Sequence, residues 1–108
     1  MNDELRQLIW DRAASVCEYC RVPQIFDPLP FGIDHIRPQY HHGPTEAENL
    51  CLCCFHDNTF KAVNVAGYDP LNGDLSPLFN PRRDSWDEHF QVNGGTTTQN
   101  VRRLNVLR

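Results

Sequence analysis

The chain has 108 residues, 40% of them hydrophobic, and a formal net charge of −4. This length corresponds to one domain, placed over residues 1–108, and a core of that size usually needs support from a metal or a disulfide. There is no run of roughly eighteen apolar residues, and the sequence starts with the polar residues MNDE, so it predicts neither a membrane-spanning helix nor a secretory signal. We therefore expect a cytoplasmic protein.

The charge balance disfavours a protein that binds nucleic acids tightly and without sequence preference. Ten Lys and Arg residues face fourteen Asp and Glu residues, whereas tight binding without sequence preference relies on cations that neutralise phosphates. The cations are nevertheless unevenly distributed. Residues 91–108 contain no acid but include Arg102, Arg103 and Arg108, and Arg82 and Arg83 are adjacent. A local basic surface is therefore possible.

The first half of the chain predicts a helix, a loop and a hairpin. Residues 3–16 have apolar side chains near helical spacing, with Asn2 or Asp3 as the N-cap. The proline-rich residues 22–32 form a loop. A strand then surrounds Asp34 and His35, residues 37–48 form a compact polar loop, and residues 49–52 form the returning strand.

The second half is less regular. Residues 54–63 tolerate a helix, and the turn residues that follow, including Asn72-Gly73-Asp74, predict a long connection. Asp84 can cap a short helix in which Trp86 and Phe90 share a face and dock on the core. A last helix is expected at residues 98–107.

The five cysteines favour metal binding over disulfides. Their number is odd, and Cys51, Cys53 and Cys54 are crowded together, which suits metal ligands and buried thiols. A structural zinc site takes four ligands, commonly as two pairs on separate segments. Cys17 and Cys20 form the first pair. A thiol redox role for this pair is disfavoured, because no thioredoxin-like βαβ pattern accompanies it.

Asp34, His35 and Asn58 are candidate catalytic residues. Hydrolysis of a phosphodiester at neutral pH needs an activated water and a cation that neutralises developing charge. His35 suits a general base because imidazole titrates near physiological pH, and the oxygens of Asp34 and Asn58 suit Mg²⁺ or Mn²⁺. Neighbours in a regular strand point to opposite faces, so Asp34 and His35 share a site only if the strand ends or distorts there. Lys61, one helical turn after Asn58, can reach a phosphate.

The joint spacing resembles the HNH endonuclease family, also called ββα-metal or His-Me finger nucleases. The family pattern runs CxxC, DHI, an Asn-Leu pair, CxxCN and a lysine. The matching segments are Cys17–Cys20, Asp34–Ile36, Asn49–Leu50, Cys54–Asn58 and Lys61. The resemblance implies an α+β fold in which a β-hairpin and a helix hold a metal, with flanking helices. It also implies that Asn49 orients His35.

The resemblance places the second zinc pair at Cys54 and Asp57, where the family has a second cysteine. Asp57 can still donate an oxygen, the neighbouring His56 a nitrogen, and Cys53 can shift register. The alternative is a lapsed site in which the cysteines are buried as small apolar residues.

Residues 78–90 resemble the C-terminal segment of one bacterial branch of HNH proteins, so a bacterial or phage protein is expected. The implied activity is metal-dependent hydrolysis of DNA, with Arg82 or Arg83 contacting phosphate. The alternative is a catalytically weak module that binds nucleic acid or protein and keeps the fold. Fold alone does not decide between these readings.

Overall fold

The computed structural model describes residues 1–68, 73–93 and 96–99. The predicted cations Arg102, Arg103 and Arg108 lie outside these residues, as does most of the helix expected at 98–107.

The first helix, α1 (Asp3–Ala13), begins where the sequence predicts. The Asn2 side chain accepts a hydrogen bond from the backbone N–H of Leu5 at 2.8 Å, which satisfies one of the free donors of the first turn. The helix ends three residues earlier than expected, because Ala14 and Ser15 adopt left-handed φ angles of 55° and 59°. Arg12 then ties α1 to the next elements by donating to the carbonyl of Leu50 at 2.6 Å.

A hairpin and a helix form the centre of the molecule. Strand β1 (Gly32–His35) pairs antiparallel with β2 (Leu50–Cys53), with His35 opposite Leu50. Helix α2 (Phe55–Lys61) follows after a single residue, Cys54, whose sulfur accepts a hydrogen bond from the N–H of Asp57 at 3.3 Å. This ββα unit in a small mixed structure confirms the predicted α+β fold.

The core lies between α1, the turn that follows it and the hairpin. All four residues of β2 are buried. Phe79 brings the C-terminal half onto this core, and the indole N–H of Trp86 donates to the carbonyl of Tyr19 at 2.7 Å. The cluster of buried residues consists of Ile9, Cys17, Tyr19, Cys20, Phe31, Ile36, Leu50, Cys51, Leu52, Cys53, Cys54 and Phe79.

The C-terminal half contains strands that the sequence analysis did not predict. Strand β3 (Ala66–Tyr68) pairs with β4 (Leu75–Pro77) within the stretch expected to be a connection. In the sequence, the Asn-Gly pair between these strands is of a type typical of hairpin turns, but the sequence analysis read the stretch as a long connection.

The chain continues into α3 (Trp86–His89), β5 (Phe90–Asn93) and β6 (Thr96–Gln99), the last two paired antiparallel. Phe90 therefore belongs to a strand and not to the helix of Trp86. The prediction of a helix from residue 98 is wrong for its first two residues, because the β-branched run at 96–98 favours a strand. Among the described residues, no helix has the length and apolar character needed to cross a membrane.

Candidate metal centre and active site

Four potential metal ligands meet where α2 packs against the turn after α1. They are Cys17, Cys20, Cys54 and Asp57, all buried, with ligand atoms within 4.8 Å of one another. The sulfurs of Cys20 and Cys54 are 3.9 Å apart, and the sulfur of Cys17 is 3.4 Å from Oδ2 of Asp57. Zn–S bonds of about 2.3 Å and Zn–O bonds of about 2.1 Å imply tetrahedral edges of about 3.8 Å and about 3.6 Å. The cluster can therefore bind a metal, and its donors favour zinc.

Hydrogen bonds among the buried thiols shift their pKa values in opposite directions. Hydrogen bonds from the thiols of Cys20, Cys53 and Cys54 lower the pKa of Cys17, and the N–H of Cys54 also donates to its sulfur at 3.3 Å. The same bond to Cys17 raises the pKa of Cys20 above its usual range and that of Cys54 to about 12. A metal that binds here must displace the protons of Cys20 and Cys54.

The fourth position is occupied by Asp57, one of three candidates named from the sequence. Asp57 is fully buried, with its carboxylate facing the sulfurs. His56 lies outside the cluster, with 55% of its side chain exposed and Nδ1 3.4 Å from Oδ1 of Asp57. Cys53 donates to the carbonyl of Cys54 and is not one of the four clustered donors. A metal held by all four of these ligands would have a closed coordination shell, as in structural sites.

Asp34 lies on the other side of the ββα unit in a buried ion pair. Its Oδ2 is 3.1 Å from Nζ of Lys61 and accepts a hydrogen bond from the hydroxyl of Tyr19 at 2.9 Å. Asp34 is 7% exposed, and Lys61 and Tyr19 are each 1% exposed. Burial, more than the nearby Cys51 and Asp34, raises the pKa of Tyr19, so its hydroxyl stays protonated and donates.

This pairing bears on the predicted roles of Asp34 and Lys61, which stay predictions. A divalent ion would have to share Asp34 with an ammonium group that already balances its charge. Lys61 also donates to the carbonyl of His35 at 3.2 Å, so its amine is held inside the protein and not presented to a phosphate. Asn58, the other predicted ligand, is partly exposed on α2.

His35 faces a different environment from its neighbour Asp34. It is partly exposed at the end of β1, and its Nε2 lies 2.9 Å from the hydroxyl of Thr45. The regular strand therefore separates the two side chains into a buried acid and an accessible imidazole, as the alternation of a strand predicts. Thr45 thus engages one of the two ring nitrogens of His35.

Asn49 holds the loop that carries Thr45. Its Oδ1 accepts from the N–H of Arg37 at 2.9 Å, and its Nδ2 donates to the carbonyls of Arg37 at 3.0 Å and Pro44 at 2.8 Å. A Cβ at Gly43 would lie 1.7 Å from the Arg37 carbonyl oxygen, so the loop closes only with glycine there. Asn49 thus fastens both ends of the loop beside His35, although its predicted role in orienting that ring stays a prediction.

Comparison with known proteins gives one finding over this same segment. Residues 17–62 match the family model described as HNH endonuclease. The match covers 46 of the 108 residues, and we call residues 17–62 the HNH segment. The match starts at the first metal ligand and ends one residue after α2, which confirms the resemblance on which the sequence analysis relied. No curated protein and no solved structure matches the chain significantly.

Two adjacent arginines after the HNH segment have different surroundings. Arg82 forms an ion pair with Glu18, whose side chain also accepts from the N–H of Leu52 at 2.8 Å. Arg83 is exposed and has no acidic partner within the described part of the chain. Of the two predicted phosphate contacts, only Arg83 is free to make one without breaking an internal pair.

Several residues at the site carry no sequence signal for the roles they take. Tyr19 lies inside the CxxC motif and was assigned no role from the sequence, and neither was Thr45 in the polar loop. Both act through contacts between segments distant in sequence, Tyr19 to Asp34 and Thr45 to His35.

Proposed function

We propose that the protein is a metal-dependent endonuclease that hydrolyses phosphodiester bonds in DNA. The observation that supports this most is His35, an accessible imidazole whose Nε2 is held by Thr45 within an HNH segment. An imidazole fixed in this way can take a proton from an attacking water at neutral pH.

The surrounding residues have supporting roles in this proposal. Asn49 holds the loop that brings Thr45 to His35, and Arg83 contacts a phosphate of the bound strand. The zinc cluster keeps α2 and the turn after α1 in register beneath the hairpin. Its closed ligand set gives it a structural and not a chemical part.

We propose that the catalytic ion is Mg²⁺ or Mn²⁺ and that Asp34 and Asn58 would be its ligands. Such an ion neutralises charge on the reacting phosphate. Because Lys61 already balances Asp34, we expect weak binding of the ion, and the roles of His35 and Arg83 are argued without it.

A second candidate is a module that binds nucleic acid or protein and cleaves weakly or not at all. The buried pair of Asp34 and Lys61 favours this candidate, because it withholds a carboxylate from the divalent ion. The two candidates differ in one observable, the cleavage of DNA.

A plasmid-nicking assay separates them. Supercoiled DNA is incubated with zinc-loaded protein and Mg²⁺, Mn²⁺ or neither, while the retained zinc is measured so that loss of the structural metal is not mistaken for loss of catalysis. We expect nicking by the natural protein with an added ion and none by His35→Ala.

The matched control is His42→Asn, which removes an exposed histidine from the loop after β1. Asparagine tolerates the left-handed φ of 64° at this position. This variant should nick normally. Nicking by His35→Ala at the natural rate contradicts the assignment of the base, and absence of nicking by the natural protein favours the binding module.

We also propose a cytoplasmic location. All five cysteines are buried, and none of them forms a disulfide, which is typical of proteins kept in a reducing compartment.

A further inference from the structure

A cleft of about 780 Å³ opens beside the HNH segment, between the loop after β1 and the segment that follows β4. Its first wall contains Arg37 and His41, and its second wall contains Asn80, Arg83 and Asp84. Cavities of roughly 300–1,000 Å³ are typical of sites for small organic ligands. The cleft can therefore take a ligand larger than a single ion.

The rim of the cleft is cationic, although the protein as a whole is acidic. Nε and one terminal nitrogen of Arg37 each donate at 3.0 Å, to the carbonyls of His41 and His42 respectively. These carbonyls orient the guanidinium but leave its charge uncompensated. Arg83 on the opposite wall has no acidic partner among the described residues. Two cations without an acidic partner among the described residues thus line the same cleft.

The acid on the rim is engaged in local structure. Oδ2 of Asp84 accepts from the N–H of Asn80 at 2.9 Å and closes the turn that presents Arg83. At the base of the cleft, Lys61 is neutralised by Asp34. An anion that enters the cleft therefore meets Arg37 and Arg83 as the cations outside any described ion pair.

The lining of the cleft also includes apolar side chains. It contains Ile36, Val65, Pro77, Leu78 and Phe79. A bare phosphate would gain nothing from these side chains, whereas the sugar and base of a nucleotide would bury apolar surface against them.

The cleft also adjoins the candidate base. Arg37 follows His35 by two residues, and Lys61 donates to the carbonyl of His35. The cleft is thus formed in part by residues that follow or contact His35, which favours it as the place of a nucleotide next to one bound at His35. Asn49 and Gly43 fix the Arg37 wall, so the site is formed before the ligand binds.

We propose that this cleft binds one nucleotide of the DNA strand next to the cleaved bond, with its phosphate between Arg37 and Arg83 and its sugar and base over the apolar floor. The proposal rests on the proposed function in one respect, that DNA is the substrate. It adds a subsite and names the two residues that select for phosphate.

The test measures binding without cleavage. Zinc-loaded His35→Ala protein is titrated with thymidine 5′-monophosphate, thymidine, inorganic phosphate and a short single-stranded DNA. Arg83→Ala and Arg37→Gln are added to this background, and the glutamine keeps one donor for the loop carbonyls. The matched control is Arg6→Ala, which removes an exposed arginine of α1 that does not line the cleft.

We expect each cleft variant to weaken binding of the nucleotide and the DNA by about tenfold or more, as for a lost charge-assisted hydrogen bond. The slope of log affinity against log salt for the DNA should fall by about one. Arg6→Ala should change neither. Arg83→Glu, at an exposed position that cannot disturb folding through the core, should abolish nucleotide binding.

Two results would overturn the proposal. Cleft variants that bind like Arg6→Ala would show that the phosphate is held elsewhere. Inorganic phosphate that binds as tightly as the nucleotide would show that the apolar floor is not used. If the natural protein fails to nick DNA but the nucleotide still binds through Arg37 and Arg83, then the proposed function fails and the subsite stands.

Discussion

The ammonium group of Lys61 interacts with two groups of β1 at once, the carboxylate of Asp34 and the carbonyl of His35. Burying these charges is costly, and a buried pair often contributes little more than well-packed apolar residues would. Removing one partner is different, because the remaining charge stays in the interior without compensation. The pair is therefore a sensitive point of the fold, whatever its part in catalysis.

We predict that Lys61→Met lowers the free energy of unfolding by about 3–5 kcal/mol, because it leaves Asp34 buried and unpaired. Urea denaturation measures this directly. The double variant Asp34→Asn with Lys61→Met should recover a large part of the loss, since neither charge then remains. Equal stabilities of the single and double variants would show that Asp34 gains its compensation from another group.

For individual residues, the sequence predicted which side chains belong to the candidate site but not which residues they contact. Asp34 and His35 were both placed at one site from their spacing, and the need for a strand distortion was recognised. The strand is regular and directs the two side chains apart. Their partners Tyr19 and Thr45 come from segments that pair only through the tertiary fold, and no local pattern encodes such contacts.

The loop between β1 and β2 is an element without regular secondary structure that nevertheless has a defined shape. Asn49 bonds to both of its ends, Arg37 bonds to its interior carbonyls, and Gly43 passes against the Arg37 backbone. Loops closed in this way carry functional side chains on a rigid frame. Here the frame holds Thr45 on one side and the wall of the cleft on the other.

We predict that Gly43→Ala destabilises the protein by roughly 2 kcal/mol or more, because the added Cβ clashes with the Arg37 backbone and the loop must move to accommodate it. Gly32→Ala is the matched control. Gly32 lies in β1, a Cβ there meets nothing within 4 Å, and alanine in a strand costs less conformational entropy than glycine. Urea denaturation of both variants should show a loss for Gly43→Ala and a neutral or slightly stabilising effect for Gly32→Ala; equal stabilities would contradict the described loop closure.

Elements of the first half were predicted nearly to their ends, and those of the second half were not. Strong local signals predict the elements of the first half. They are the N-cap Asn2, the apolar spacing of α1, and the Asp-His and Asn-Leu pairs of the hairpin. The strands β3 and β4 have three residues each, too few to show a period of two. Their pairing is stabilised by backbone hydrogen bonds across a turn, for which residue types give little information.

At the scale of the whole molecule, the metal cluster joins parts of the chain that are far apart in sequence. Cys17 and Asp57 are separated by 40 positions. The core that surrounds the cluster is small and contains several cysteines in place of larger apolar residues. A bound metal therefore supplies stability that burial alone does not.

We predict one zinc per chain in protein purified without chelator, and a lower thermal unfolding temperature after its removal. Elemental analysis and a thermal melt measure the two quantities. Asp57→Ala should lose zinc, and Asp57→Cys should retain it against higher chelator concentrations, because a fourth thiolate suits zinc better than a carboxylate.

The control for this series is Cys51→Ala. Cys51 is fully buried but is not one of the clustered donors, so this variant should lose some stability through packing and keep its zinc. A zinc-free natural protein whose melting temperature is unchanged by chelator would mean that the four donors do not serve as a metal site.

The position of the cluster in the chain also bears on what happens when the backbone is cut. The exposed loop with Ile25 and Phe26 lies between the two pairs of ligands in the sequence. A protease that cuts there leaves Cys17 and Cys20 on one fragment and Cys54 and Asp57 on the other. The coordination bonds and the packing of α1 on β2 would still hold the two fragments together. Such a nicked protein should elute as one species until a chelator removes the metal, and the two peptides should then separate. Folding of this chain could be studied as the reassociation of these two fragments.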